Sequence, residues 1–383
     1  MIKIAIVTRK LITGGVEKAL INMLNEFDNK KVEIDLYVQE FGGELEEKLP
    51  RWIHIYAISK IPWRKYFLDW RKLIKKIIIL YKLNCRNIPF IEQCFLSTAM
   101  YKSVDREYDI AISYHAPNTV PVFYTIDKIK AKKKILWLHG GLKANSGTTD
   151  IARRYYKKYD KIFAVSEFIK QEFITVVPEK ETAIDVFYNF FYPKEIIDKS
   201  IEGKTYVDDY NGFRILSIGR LSKEKGYDTA VSVCERLVRD GFKFKWYICG
   251  DGEEKERIES QIYKKGLEDY MILLGNQRNP YGYLKDCDLY VQTSIYEGYC
   301  TTTNEAKVLK KPVITTDVSG AREQFVNNIT GWIVDINEEA IYQKIKEVLN
   351  NKEMCRFIVK NLEKDEKKVK NSIQTVLDVL LEE

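Results

Sequence analysis

The sequence predicts an α/β protein of two parallel-sheet domains in tandem, and three observations carry that reading. The chain has 383 residues, more than one hydrophobic core usually serves. Short β-branched or apolar runs alternate along it with amphipathic stretches of helical period, the alternation that builds parallel sheets. That pattern breaks once, over residues 194–211, where Gly203, Asp208, Asp209 and Asn211 make the chain polar, and it restarts at Phe213. Residues 1–193 are read as the first domain, 194–211 as a linker and 212–365 as the second domain. Residues 366–383 are read as a C-terminal helix crossing back to the first.

With 45% hydrophobic and 31% charged residues the composition is that of a water-soluble globular protein. No apolar run approaches the roughly 20 residues that span a bilayer. Met1 to Val7 enters a strand directly, without the basic segment and long apolar core of a secretory leader, so a cytoplasmic protein is expected. Seven cysteines, at 85, 94, 234, 249, 287, 300 and 355, fit neither a disulfide framework nor a zinc pair. With only His54, His115 and His139 besides, no metal site is expected.

In order, Lys3–Thr8 reads as a buried strand, and Thr13 to Glu17, with Gly14 and Gly15, as a turn opening a helix striped by Ala19, Leu20, Met23 and Leu24. The glycine pair lacks the Gly-x-Gly-x-x-Gly spacing of dinucleotide sites, so no nicotinamide or flavin cofactor is expected. Glu33–Val38 is a second strand, Glu44–Lys48 a short helix and Ile53–Ala57 a third strand. Between Lys60 and Lys82, eight basic residues stand against one acid, Asp69, interleaved with Trp63, Tyr66, Phe67, Trp70, Ile74, Ile77 and Ile78. This is the pattern either of a helix lying on an anionic membrane surface or of one packing its apolar face on its own domain. No recognised nucleic-acid motif accompanies it, so no nucleic-acid partner is expected. A helix over Leu96–Val104 precedes a strand, Tyr108–Ser113, that runs into Tyr114 and His115. The next strand, Lys134–Leu138, ends in His139-Gly140-Gly141, placing a histidine on the crevice side of an open α/β sheet. Lys161–Val165 and a helix capped by Ser166 and reaching Val176 follow.

In the second domain Phe213–Ile218 is a strand, Gly219–Gly226 a loop and Tyr227–Arg239 a helix. Phe244–Cys249 leads into Gly250-Asp251-Gly252 and a helix over Glu253–Lys264, and Met271–Leu274 into Gly275-Asn276-Gln277. Asp288–Val291 and Val313–Thr316 bracket a loop and a helix that starts near Thr302 and runs to Lys310. The closing stretches, Asn337–Leu349 and Glu353–Leu381, read as charged helices.

Two loops of this domain carry chemistry. Arg220 and Lys225, flanked by Gly219 and Gly226, bring two cations and open backbone to one strand-to-helix loop, as a diphosphate requires. Charge-assisted contacts of this kind contribute roughly 1.5–3 kcal/mol each. In the stretch from Glu297 to Glu305 two carboxylates stand eight apart, the first in the loop and the second in the first helical turn. Hydroxyls of Thr301, Thr302 and Thr303 and the open amides of the helix start make an anion site there. A capping box is the alternative, with Thr302 bonding forward to the Glu305 amide and Glu305 reaching back. It leaves Glu297-Gly298 without a reason.

These motifs, in this order, resemble the retaining glycosyltransferases of family 4, whose GT-B fold has two Rossmann-like, doubly wound domains facing a central cleft. The resemblance lies in Gly219-Arg220 with Lys225-Gly226, in Gly250-Asp251-Gly252, and in Glu297-Gly298-Tyr299 with Glu305. Gly14-Gly15-Val16-Glu17 and His139 match the first domain's pattern. The likeness is strongest from Ile215 to Trp332 and weakest from Lys60 to Val104, where such enzymes hold the acceptor. It implies a nucleoside-diphosphate sugar, a UDP-sugar, as donor: Arg220 and Lys225 on the diphosphate, Glu305 on the ribose, Glu297 on the sugar, and the Gly298 to Thr301 backbone on sugar and phosphate. Gly14, Gly15, Gly219, Gly250, Asn276, Tyr299, Cys300 and Thr302 complete the implied donor site. His139, reaching the sugar from the first domain, joins Glu297, Arg220 and Lys225 in the implied catalytic set. Retention in this family is described as front-face attack with the departing phosphate as base, so neither a nucleophile, a metal nor a cofactor is implied. Cys300-Thr301 departs from the glycine or proline and apolar residue of many relatives, which leaves the donor sugar open. The basic aromatic segment suggests a saccharide or lipid-linked acceptor of cell-surface polysaccharide or glycoconjugate synthesis, met at the inner face of the membrane. The rivals are a nucleotide-sugar epimerase of the same fold and a catalytically silent partner subunit. An epimerase needs acid and base side chains around the sugar, and a silent partner is expected to lose Arg220, Lys225 or a motif glutamate, all of which are present.

Overall fold

The computed structural model describes residues 1–12, 14–61, 70–84, 88–142, 150–365 and 372–379. The chain forms two compact units, Met1–Phe191 with Val369–Glu383, and Tyr192–Lys368. In the first, seven strands, β1 (Ile2–Thr8), β2 (Val32–Val38), β3 (His54–Ala57), β4 (Glu107–Ala116), β5 (Lys130–Leu138), β6 (Lys161–Ala164) and β7 (Ile184–Val186), are ordered β3-β2-β1-β4-β5-β6-β7. All their pairings are parallel. In the second unit β8 (Phe213–Ile218), β9 (Phe244–Cys249), β10 (Met271–Gly275), β11 (Leu289–Gln292), β12 (Val313–Thr316) and β13 (Trp332–Val334) run β10-β9-β8-β11-β12-β13, again all parallel. Both sheets are therefore doubly wound, and strand order reverses between β1 and β4 in one and between β8 and β11 in the other.

The reason lies in the strands themselves. Ile4, Ala5, Ile6 and Val7 are all buried, and so are Leu289, Tyr290 and Val291, as continuous apolar runs covered by helices on both faces must be. In the second unit Ile215, Trp246, Val291 and Ile314 of the sheet pack with Val231 and Ile345 of the helices Tyr227–Arg239 and Glu338–Asn350. Each such side chain contributes roughly 1.5–3 kcal/mol by leaving water. Among the described residues, which leave out Cys85, six cysteines are free thiols, all buried except the half-buried Cys355, as the odd count and wide spacing suggest.

Three expectations fail for physical reasons. Residues 194–211 are not a bare linker: Pro193–Glu202 is a helix that starts on a proline, buries Ile196 and Ser200, and packs on the helices Tyr281–Asp286 and Thr301–Val308. Proline at the first helical position needs no amide partner, and only two buried positions mark the inner face, so the polar composition hid the helix. The helix placed at Leu96–Val104 is Phe90–Thr98, begun at Pro89, while Tyr101 pairs with Lys60 as an isolated bridge. The long terminal helix breaks after Glu353–Lys364, and the described Gln374–Asp378 is a short helix burying Val376 and Leu377.

Candidate functional site

The loops after β8 and β11 leave the sheet at its switch point, so the residues they carry meet where open α/β sheets bind ligands. After β8 the chain turns through Gly219-Arg220 and a single 3₁₀ turn, Lys223–Lys225, to Gly226, whose φ of 66° suits a residue without Cβ. A Cβ on Gly226 would lie 2.2 Å from the carbonyl oxygen of Thr293. The Thr293 hydroxyl donates to the Lys225 carbonyl at 3.0 Å, and the Ile295 amide to that of Glu224 at 2.8 Å. These contacts lock the two loops together. Lys225 Nζ then lies 2.6 Å from Glu297 Oε1, with the side chains only 20% and 12% exposed. The same oxygen accepts from Ser294 Oγ at 2.6 Å and Gln292 Nε2 at 2.7 Å. Burial alone would push the Lys225 pKa down, but the Glu297 carboxylate outweighs it and the ammonium stays charged. Arg220 is exposed, and among the described residues its guanidinium has no hydrogen-bond or ion-pair partner.

The helix Thr301–Val308 follows, two residues earlier than the capping box needs, with Cys300 at its N-cap and no side-chain cap. Thr302 lies inside the helix, where its Oγ1 accepts from the Tyr290 phenol at 2.8 Å, so the box does not form. Glu305 is buried, and its Oε1 accepts from the Tyr281 phenol at 2.8 Å. The loop before the helix is held from outside: Ser319 Oγ donates to the Gly298 carbonyl at 2.6 Å, Gln324 Nε2 to that of Cys300 at 2.9 Å, and Asn304 Nδ2 to the Tyr299 phenol at 3.1 Å. Cys300 is buried, and burial raises its thiol pKa. Asn276 is exposed just past Gly275, at the end of β10.

The Gly-x-Gly turn packs its backbone against the Arg220 loop. A Cβ on Gly250 would sit 1.9 Å from the Gly219 carbonyl oxygen, and one on Gly252 2.4 Å from that of Leu221. Gly219 and Leu221 donate to Cys249 and Asp251 at 3.0 and 2.9 Å, so the glycines let the β9 turn support the Arg220 loop from beneath. In the first unit Gly14 is extended at the start of helix Gly15–Asn25, and the Glu17 carboxylate folds over it where a Cβ would be 2.4 Å away. His139 follows β5, its amide donating to Ala116 at 2.9 Å and its ring 4.6 Å from that of Tyr114. Its Nε2 is sealed from solvent without a hydrogen-bond partner, and burial lowers its pKa to about 3, so the imidazole is neutral.

The family described as "Glycosyltransferase Family 4" matches residues 13–194, and "Glycosyl transferases group 1" matches residues 204–365. The chain belongs to the family 4 glycosyltransferases. A relative from Campylobacter jejuni, N-acetylgalactosamine-N,N'-diacetylbacillosaminyl-diphospho-undecaprenol 4-alpha-N-acetylgalactosaminyltransferase, is 29% identical over 227 residues, 59% of this chain and 60% of that protein. The capsular polysaccharide biosynthesis glycosyltransferase CapM of Staphylococcus aureus is 28% identical over 209 residues, 52% of this chain and 55% of that protein. The chain thus spans little more than half the length of these two relatives. Anabaena HepE, solved in complex with UDP and glucose, superimposes with a TM-score of 0.71 over 100% of both chains at 17% identity, which identifies the GT-B fold.

Among the described residues of this family 4 chain one cluster could ligate a metal, Glu33, Asp35 and His54. It lies on β2 and β3 of the first unit, and Arg106 already bonds both carboxylates, at 2.6 Å to Glu33 and 2.9 Å to Asp35. The supporting residues Gln292, Ser294, Tyr281, Ser319 and Gln324 were not singled out in the sequence. Gln292 and Ser294 do lie five and three residues before Glu297, close enough to have been found. Tyr281 is 24 residues from Glu305, and nothing in the local pattern joins them. If Tyr281 holds Glu305 for a ribose, Tyr281→Phe should weaken nucleoside diphosphate binding by about 3- to 10-fold, the loss of one hydrogen bond to a charged group. Glu305→Gln should weaken it at least as much, and Glu297→Gln should spare it. Titration calorimetry with UDP checks this, and unchanged affinity in both Tyr281→Phe and Glu305→Gln would leave the pair a structural contact only.

Proposed function

We propose that this chain is a retaining glycosyltransferase that moves a sugar from a UDP-sugar to a hydroxyl of a saccharide or lipid-linked acceptor in cell-surface polysaccharide or glycoconjugate synthesis. The observation that carries the reading is the arrangement at the second unit's switch point: exposed Arg220, the Lys225–Glu297 pair and an uncapped helix start. In the reaction the bond between the sugar's C1 and the diphosphate oxygen breaks, and the acceptor oxygen bonds C1 on the same face. The acceptor's proton passes to the departing phosphate, so no side chain need act as nucleophile. Glu297 fits a sugar-binding rather than an attacking role, because its Oε1 already accepts from Lys225, Ser294 and Gln292. Arg220, Lys225 and the helix start take the charge that grows on the leaving group. We place the enzyme at the cytoplasmic face of a membrane, where lipid-linked acceptors are presented.

The test is a panel of nucleotide sugars scored for released nucleoside diphosphate, with and without a membrane lipid extract and with product anomers assigned by NMR. One donor should release UDP only with acceptor and yield the donor's own anomeric configuration. Inversion would overturn the retaining mechanism, and donor conversion to another sugar nucleotide without acceptor would favour an epimerase. Activity should persist in excess chelator, because Arg220, Lys225 and the helix start already neutralise the phosphates. Loss in chelator with recovery on adding a divalent cation would overturn the metal-free scheme.

A further inference from the structure

The helix Trp70–Leu83 carries a second apolar face that its own unit leaves in solvent. Ile74, Ile77, Ile78 and Tyr81 are 46%, 53%, 47% and 73% exposed. At 3.6 residues per turn these four fall within an arc of about 100°. Arg71, Lys75 and Lys82, also exposed, fall on the adjoining arc of about 40°, and the helix holds no acid. The opposite face is the one its unit uses: Lys76 is buried, Leu73 and Leu80 are half-buried, and the helix packs on Phe90–Thr98. An apolar stripe bordered on one side by cations alone is complementary to an anionic lipid surface, with isoleucines among the acyl chains and cations at the headgroups.

We infer that this helix docks the first unit on an anionic bilayer through Ile74, Ile77, Ile78 and Tyr81, with Arg71, Lys75 and Lys82 at the headgroups. The surface differs from the one the sequence suggests. Lys76 faces inward and takes no part, Trp63, Tyr66 and Phe67 lie outside the described residues, and the inference rests on the three isoleucines and Tyr81. No described helix is long and apolar enough to cross a membrane, and the contact is therefore interfacial. The inference stands on the helix alone and does not require the transferase reading.

The experiment is co-flotation of the full chain with phosphatidylcholine vesicles of increasing phosphatidylglycerol content, at low and high salt. Wild-type binding should rise with the anionic fraction and fall as salt screens it. The triple change Arg71→Gln, Lys75→Gln and Lys82→Gln should weaken partition to anionic vesicles roughly 100-fold. The triple change Ile74→Ser, Ile77→Ser and Ile78→Ser should weaken it by about 100-fold or more. All six positions are exposed, so both variants should melt like the wild type. Wild type that ignores anionic vesicles at low salt overturns the inference. So does a concentration-dependent dimer that the isoleucine changes dissociate while vesicle binding stays as it was, because the stripe would then cover a second copy. Vesicle binding by a chain that releases no nucleoside diphosphate from any donor would sink the transferase reading and leave this one standing.

Discussion

Replacing Arg220 or Lys225 by Ala is expected to lower turnover with the true donor by a factor of about 10–1000 each, the range for removing one electrostatic donor to developing charge. The two differ in what else they disturb. Arg220 is exposed and unpaired among the described residues, so its loss should leave stability within about 0.5 kcal/mol of wild type. Lys225 is the counter-charge of Glu297 at 2.6 Å, and its removal strands a carboxylate only 12% exposed. Ser294 and Gln292 still donate to that carboxylate, so the expected cost is about 1–3 kcal/mol. A partner change separates stability from catalysis: adding Glu297→Gln to Lys225→Ala removes the stranded charge and should recover most of the stability but none of the turnover. Thermal melts beside steady-state rates read both. Turnover that survives the double change Arg220→Ala with Lys225→Ala would overturn the assignment of the leaving-group site.

Alternation of strand-like and helix-like runs was enough to read two parallel sheets, because strands covered on both faces are continuous apolar runs and cannot be mistaken for amphipathic surface. Glu297, Glu305, Arg220 and Lys225 were legible for a similar reason: each lies a fixed short distance from a glycine or a helix start that local sequence reveals. The pairing of Lys225 with Glu297 was not legible, since 72 residues separate them and only the strand order β8-β11 brings the loops together. The same holds for Tyr281 and Glu305. Residues 193–202 misled because a helix facing its own domain with two buried positions looks, in composition, like a linker. In the basic segment the spacing of isoleucines at 74, 77 and 78 was visible, but which face was covered depended on the packing of the Phe90–Thr98 helix.

Gly250→Ala should be the most damaging small change in the second unit. Its Cβ would lie 1.9 Å from the Gly219 carbonyl oxygen and 2.9 Å from that residue's carbonyl carbon. Both are backbone atoms, so no side chain can swing aside, and relief requires the β8 and β9 loops to part. Parting them strains the Gly219 to Cys249 bond at 3.0 Å and the Gly250 to Gly275 bond at 2.9 Å, and moves Arg220 with them. The expected loss is roughly 3 kcal/mol or more, at the upper end of what overpacking costs. For a unit of this size that lowers the melting temperature by roughly 5–10 °C. Gly219→Ala is the control. Its Cβ would meet the Tyr227 hydroxyl at 3.2 Å and Lys225 side-chain carbons at 3.4 Å, groups at the ends of side chains that can give way, so its melt should move by only a few degrees. Differential scanning calorimetry of the two variants decides the matter, since equal melts would mean that the Gly-x-Gly turn is kept for contact with a ligand and not for the approach of two backbones.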